Sequence, residues 1–270
     1  MGIPVSVVII SRNNDDHIAS CLESVCNWAD EIIVIDDEST DKSREIAARF
    51  TSKVLTHKFI NEGKDLNWSI SQAASTWVLS LAANEVMTPQ LKTEIRQALD
   101  QNPRVAGFSI PRKNFLGNYW LQSGGKYPDP KIKLFLKEKF KWEEVDIHPR
   151  PFLDGICGPL KNPLYHYSYN DYNDFLDKIN RQTNMEAQKW LAAYKEAPKR
   201  VDCQMNKLGA ITRANAKLYG SYLVQMGWQD GLPGLVSSVF DAVYEIVAYA
   251  KFTELKQKYL QTISRPPKAR

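Results

Sequence analysis

Between residues 4 and 81 the chain sets four short apolar, largely β-branched runs apart with three segments of helical spacing, and that alternation admits few folds. The runs occupy residues 4–10, 30–35, 53–57 and 77–81. Between them, residues 17–28, 42–50 and 63–74 carry apolar side chains at helical intervals, as in Ile18, Leu22 and Val25 or Ile46, Ala47 and Phe50. Runs of this kind suit strands covered on both faces. Strands alternating with helices over short connections predict the α/β class: a mostly parallel, right-handed twisted sheet flanked by helices.

In such a sheet, ligands collect outside the carboxyl ends of the strands. Three polar turns fall there: Ser11 to Asp16, Asp36 to Asp41, and Ala82-Ala-Asn-Glu85. The last precedes a helix opening at Thr88-Pro89, a good N-cap followed by a good first helical residue. Neither GxGxxG nor GxxxxGK[ST] follows the first strand, which excludes a dinucleotide fingerprint and a P-loop. Carboxylates after the second strand can accept from a ribose hydroxyl or a base N–H. The plainer alternative is a solvated acidic turn in which Ser39 or Thr40 caps the next helix.

Beyond residue 103 the pattern changes. Strands are expected at residues 105–110, 131–136, 141–148 and 164–169, with a Gly-, Asn- and aromatic-rich loop over 114–130. Its aromatics, Phe115, Tyr119, Trp120 and Tyr127, suit stacking on a sugar face or rim packing equally. A helix follows over 171–194, then a break at 198–200 and a last helical section interrupted at 231–234. The expected division is a domain of residues 1–170, with halves 1–102 and 103–170, and a helical extension, 171–270.

At 270 residues and 43% hydrophobic content, there is ample core for one α/β domain plus an appendage. The net charge of +4 is a property of the tail, where residues 251–270 hold six basic side chains and one acidic. That distribution speaks against a nucleic-acid partner. Val236, Phe240, Val243, Val247 and Ala250 fall on one helical face, with Ser237, Asp241 and Glu245 opposite. Beside the basic tail, this stripe suits an anionic membrane surface as well as it suits packing on the core. The four cysteines have no metal-binding spacing and are expected as reduced thiols. No uncharged run reaches membrane-spanning length and no leader pattern stands before the first strand. The expectation is therefore a cytoplasmic protein, with a peripheral place on the inner face of the membrane as the variant.

Taken together and in order, several stretches resemble family-2 glycosyltransferases of the GT-A fold, above all bacterial enzymes acting on lipopolysaccharide core or lipid-linked acceptors. They are Ser6-Val-Val-Ile-Ile-Ser-Arg-Asn13, Cys21-Leu-Glu-Ser-Val25, Trp28-Ala-Asp-Glu-Ile-Ile-Val-Ile-Asp36, Ser39-Thr-Asp41, Trp77-Val-Leu-Ser-Leu81, Gly124-Gly-Lys-Tyr-Pro-Asp129, Lys133-Leu-Phe135 and Leu164-Tyr-His-Tyr-Ser168. The terminal Asp230-Gly-Leu-Pro-Gly234 and Tyr249-Ala-Lys251 fit as well. The resemblance implies inverting transfer of a sugar from a nucleotide-sugar donor to a lipid-linked or other glycan acceptor of the cell envelope. It places the donor at Ser11, Arg12, Asn13, Asp36, Asp41, Lys64, Asn67, Ala83 and Asn84. It also implies Mn²⁺ or Mg²⁺ on an Asp-x-Asp turn and a carboxylate base on the acceptor side.

The sequence departs from that pattern where the chemistry is. The turn expected as Asp-Ala-Asp-Glu reads Ala82-Ala-Asn-Glu85, leaving Glu85 as the one candidate metal carboxylate. The Val-His-Glu pattern reads Ile147-His-Pro149, with proline where the base should stand, and Leu66 replaces a lysine before Asn67. Asp129, Asp146 and His148 are the remaining catalytic candidates, with Glu144 beside Asp146. Lys64, Arg12 or Arg112 could offset phosphate charge in a metal-independent route. Two readings follow: a transferase using these other groups, or a pseudoenzyme that keeps the fold as a nucleotide-sugar-binding or membrane-peripheral adaptor.

Overall fold

The computed structural model describes residues 3–101, 104–146 and 149–264. The sheet-bearing part runs β1 (Val5–Ser11), α1 (Ile18–Val25), β2 (Glu31–Asp36), α2 (Ser43–Ala47), β3 (Val54–Thr56), α3 (Glu62–Ser71), β4 (Trp77–Ala82), β5 (Glu85–Met87) and α4 (Pro89–Gln101). It continues with β6 (Val105–Ile110), β7 (Arg112–Leu116), β8 (Tyr119–Trp120), β9 (Lys131–Leu136), β10 (Phe140–Trp142), β11 (Pro151–Leu153), β12 (Ile156–Pro159) and β13 (Leu164–Tyr169). The helical part is α5 (Tyr172–Glu196), α6 (Pro198–Gln204), α7 (Lys207–Leu218) and α8 (Gly231–Ser264).

The main sheet has seven strands in the order β12-β6-β9-β4-β1-β2-β3. Pairing is parallel except at β9, which runs antiparallel to both β4 and β6. This is the α/β class the alternation predicts. Because successive strand residues point to opposite faces, the sheet feeds two cores. Val5, Val7, Ile9, Val34, Leu79 and Leu81 face α1 and α4, meeting Leu22, Val25, Leu91 and Ile95. Val8, Ile33, Ile35, Val78 and Phe135 face the other way, onto Ile70 of α3 and Phe140 of β10. Each fully buried aliphatic contributes on the order of 1.5–3 kcal/mol, so both faces are needed to hold β1 flat between its neighbours.

Several local expectations need correction. The second helix is a single short segment, Ser43–Ala47, because the chain after it tightens into a turn, with Arg49 N–H donating to Ile46 O and Phe50 N–H to Ala47 O. The turn after β4 leads first into β5, which pairs antiparallel with β13, and only then into α4. The aromatic loop contains β7 and β8, which join β5 and β13 in a four-stranded sheet. The strand expected over 141–148 ends at Trp142, where β10 pairs with β11, and its last two positions lie outside the described residues. The 231–234 motif is not an interruption: it opens a 34-residue helix.

Two compact units result. One comprises the described residues up to Trp120 together with Tyr127–Ser168; the other comprises Leu121–Lys126 and the chain from Tyr169 onward. The second unit has its own core of Ala187, Trp190, Tyr194, Val201, Ala248 and Phe252. Side-chain caps at Asp171 and Asn206 start α5 and α7, each accepting from the backbone N–H three residues on.

Candidate functional site

The turns after β1 and β2 interlock at the carboxyl edge of the sheet. Ser11 and Asp36 are register partners across the two strands. Asn13 N–H donates to Ser39 Oγ at 2.9 Å, and Thr40 N–H donates to Asn13 Oδ1 at 2.8 Å. Asp41 accepts from Asp15 N–H at 3.0 Å through one oxygen and from Ser43 N–H at 2.9 Å through the other. These bonds, with burial working against them, hold its carboxyl below the ordinary value. Asn13 and Glu38 both adopt left-handed backbone, with φ of 51° and 49°. Strained non-glycine residues in paired loops are a feature of ligand clamps.

The structure thus brings Ser11, Arg12, Asn13, Asp36 and Asp41 together, and separates them by role. Arg12 binds Asp37 at 2.8 Å, and Asp37 in turn accepts Phe59 N–H. Asp41 is a brace. Asp36 is different: it is 1% exposed, and its Oδ2 accepts Ser39 N–H at 3.1 Å with Arg44 Nε at 3.8 Å. Its Oδ1 is buried with no hydrogen-bond partner, and so is Ser11 Oγ. A buried acceptor left unmade costs about 1–3 kcal/mol.

The turn after β4 lies against this cluster, since Ala82 pairs with Ile10 and Ala83 N–H donates to Ile10 O. Ala83 is buried and offers no side-chain donor or acceptor. Asn84 donates through Nδ2 to Tyr167 O at 2.9 Å. Glu85 has no solvent exposure. Its Oε2 accepts from Lys133 Nζ at 2.7 Å and from Ala82 N–H at 2.8 Å, and its Oε1 faces Arg112 Nη1 at 3.3 Å. Burial raises its pKa, but Lys133, His166 (protonated in the acid range where Glu85 titrates) and Arg112 outweigh that and bring it to about 2. His166, also near, adds nothing at neutral pH, because burial and the same two cations push its own pKa down to about 4. The neutral imidazole pairs through Nδ1 with Asn114 Oδ1 at 2.7 Å.

That arrangement decides the question of a divalent metal. Both oxygens of Glu85 are engaged, two like charges stand within 3.3 Å of them, and alanines occupy the neighbouring positions. Among the described residues no three His, Cys, Asp or Glu side chains group so as to hold a metal ion. The residues present do not fit Mn²⁺ or Mg²⁺ at this turn, and Glu85 is corrected from metal ligand to buried ion-pair centre.

The other candidates divide in the same way. Asn67 clamps β10, donating to Trp142 O at 3.0 Å and accepting Trp142 N–H at 2.8 Å. Lys64 is exposed one turn earlier on α3. Asp129 is bound by Arg112 and by Lys131 at 3.1 Å, and these cations overcome burial to lower its pKa, which makes it a weak base. Asp146 is exposed and accepts Asn61 Nδ2–H at 2.5 Å. The segment 59–61 thereby links Asp37 in the first cluster to Asp146. His148 lies outside the described residues. Of the aromatics, Trp120 meets Tyr127 edge-on and carries Lys113 Nζ 3.9 Å above its ring, Phe115 stacks on Tyr167, and Tyr119 is exposed. Lys133 is the residue that the sequence analysis missed. Its signal was the alternation in Lys131-Ile-Lys-Leu-Phe135, which puts two lysines on one face of a sheet strand and so demands an acidic partner.

Residues 6–152 match Glycosyl transferase family 2, and the chain belongs to that family. Its mostly parallel α/β sheet followed by helices is the GT-A-like architecture expected from the resemblance. An uncharacterized glycosyltransferase of Rickettsia conorii is 21% identical over 269 residues, covering 96% of this chain and 92% of the relative. The lipopolysaccharide core biosynthesis glycosyltransferase LpsC of Rhizobium meliloti is 21% identical over 256 residues, covering 92% of each. Among solved structures, residues 1–349 of S. aureus TarS in complex with UDP align at 15% identity and TM-score 0.48, covering 96% of this chain and 92% of that one.

Proposed function

We propose that this chain binds a nucleoside-diphosphate sugar at the carboxyl ends of β1 and β2 and transfers the sugar, with inversion, to a cell-envelope glycan acceptor, without a divalent metal. Membership of the family supports the donor class, and the likeness to LpsC supports the acceptor class. The observation that carries the reading is the partnerless Asp36 Oδ1 beside Ser11 Oγ. An ionised carboxylate only accepts, and a nucleotide base or ribose supplies the missing N–H or O–H. Entry displaces part of the loop pair over Asp36, where the left-handed Asn13 and Glu38 already store strain.

Leaving-group charge falls to the cationic cluster next to β4. Arg112, Lys131 and Lys133 stand against Glu85 and Asp129, with His166 neutral, so one positive charge is left over for a diphosphate. Of the two exposed carboxylates in this segment, Glu144 and Asp146, Asp146 is the one oriented by a hydrogen bond from Asn61, and it takes the base role. The acceptor hydroxyl gives its proton to Asp146 while its oxygen bonds the anomeric carbon; the opposite bond breaks and its electron pair leaves with the nucleoside diphosphate.

The test is calorimetric titration with uridine diphosphate sugars, followed by turnover assays. Asp36→Ala is expected to weaken donor binding about 5- to 150-fold, the equivalent of about 1–3 kcal/mol. Unchanged affinity would remove Asp36 from the site. Asp146→Asn is expected to lower kcat about 100-fold or more with donor affinity intact. A second reading, a nucleotide-sugar-binding pseudoenzyme, is favoured by the engagement of Asp129 and by Pro149 at the expected base position. It predicts donor binding with no turnover on any lipid-linked acceptor.

A further inference from the structure

α8 is inverted relative to an ordinary surface helix. Over residues 231–246 its inward face is small and polar: Gly234, Ser237, Ser238 and Ala242 are buried, and Asp241 and Glu245 point the same way, while Ala248 and Phe252 further along join the core. Those two acids are satisfied within the unit, Asp241 by Lys126 at 2.7 Å and Glu245 by Arg213 at 2.9 Å. The outward face carries Leu232, Leu235, Val239, Val243 and Ile246, all exposed and spaced three or four residues apart on one stripe. The stripe expected from the sequence, on Val236, Phe240, Val243, Val247 and Ala250, is corrected in part: Val243 stands on the outward stripe and Ala250 is exposed, whereas Val236, Phe240 and Val247 are half-buried flanks, and Phe240 packs edge-on against Phe175. The polar side turned inward because Lys126 and Arg213 wait there for its carboxylates.

Two further features give this face its chemistry. Leu208, Ile211, Tyr219, Leu223, Met226 and Trp228, on α7 and the turns before α8, are exposed apolar side chains of the same unit. Tyr and Trp are the side chains that partition to a membrane–water boundary. Charge adds to this: Asp230 is buried, Asp241 and Glu245 are paired with Lys126 and Arg213, and the exposed Asp202 and Glu254 are paired with Lys256 and Lys258, while Lys207 and Lys217 are exposed. A second copy of the chain would bring the same cations toward themselves, whereas anionic headgroups complement them. Of the tail's bases, Lys256 and Lys258 are paired with Asp202 and Glu254, Lys251 is hydrogen-bonded to Asn180, and Arg265, Lys268 and Arg270 lie outside the described residues.

We propose that the helical unit docks on an anionic phospholipid surface through the outward stripe of α8, with Trp228 and Tyr219 at the boundary and Lys207 and Lys217 toward the headgroups. α8 is, by length and composition, able to cross a membrane. Spanning would carry Asp241, Glu245 and their partners into hydrocarbon, so the helix lies on the surface instead.

The test uses the full-length protein and vesicles of phosphatidylglycerol with phosphatidylcholine, or phosphatidylcholine alone. Wild type is expected to co-sediment with the anionic vesicles and to release as salt rises. Val239→Asp with Val243→Asp should cut binding about tenfold or more, and Lys207→Glu with Lys217→Glu should remove the preference for anionic lipid. Both pairs are exposed, and circular dichroism checks that the fold is kept. Brominated lipid should quench wild-type tryptophan fluorescence, and Trp228→Phe should abolish most of that quenching. Wild type that ignores anionic vesicles at low salt overturns the proposal, as does undiminished binding by the aspartate pair. A stable dimer that the aspartate pair dissociates, with no vesicle binding, assigns the face to a second copy and overturns it too.

Discussion

A carboxylate with no solvent contact survives only where cations are built around it, and Glu85 has Lys133 and Arg112. Removing one cation leaves a buried charge short of a partner, so Lys133→Met is expected to cost about 3–5 kcal/mol in urea denaturation. Its pH dependence has a definite sign. With a folded pKa near 2 against an ordinary 4.5, the pair's stabilisation is complete above pH 4.5 and fades as pH falls toward 2. His166 acts in a higher window. Its pKa is depressed from 6.5 to about 4, so the unfolded chain takes up the proton first as pH drops. Its contribution is present above pH 6.5 and is lost on the way to pH 4. Between pH 7 and 4.5 the wild type should lose about 2–3 kcal/mol that His166→Gln does not lose. Equal losses in the two proteins would mean that the imidazole is not held neutral.

At the scale of elements, the chain relies on close backbone approach where side chains alone would not fix a segment. The start of α3 is one such place. Gly63 N–H donates to Val145 O at 3.0 Å, and a Cβ on Gly63 would lie 1.8 Å from Glu143 O. That contact, together with the Asn67 clamp on Trp142, presents the 143–146 segment and hence Asp146. Gly63→Ala must push backbone aside; it is expected to cost about 1–3 kcal/mol and to lower turnover more than donor affinity. A variant with wild-type melting and turnover would show that the segment is positioned by something else. The opening of α8 repeats the device, since a Cβ on Gly234 would meet Gly227 O at 1.9 Å.

Across the whole molecule, what could be read from the sequence was whatever depends on neighbours in the chain. β1, β2, β4 and their helices were legible because burial on both faces leaves long apolar runs, and the Asp36 turn because acidic residues there follow a strand end. β7, β8, β11 and β12 were not, being short and of mixed composition, with pairing partners far away in sequence. The lock on Glu85 was invisible for the same reason, as Arg112 and Lys133 lie 27 and 48 residues further on. The loss of the metal turn was legible residue by residue; that a cation cluster occupies its surroundings was not. That replacement sets the last prediction. Donor affinity of the wild type should change less than about twofold between chelator and Mn²⁺, because the turn offers the ion no free carboxylate. Ala82→Asp with Asn84→Asp restores two anionic ligands beside the cluster, and Mn²⁺-dependent binding should appear. The same pair gives up the Asn84 bond to Tyr167 O, for about 1 kcal/mol of stability. Turnover should still depend on Asp146 as the base, so Asp146→Asn should lower it in this variant as in the wild type. Strong Mn²⁺ stimulation of the unmodified protein would sink this account and require Glu85 to leave Lys133 for the metal.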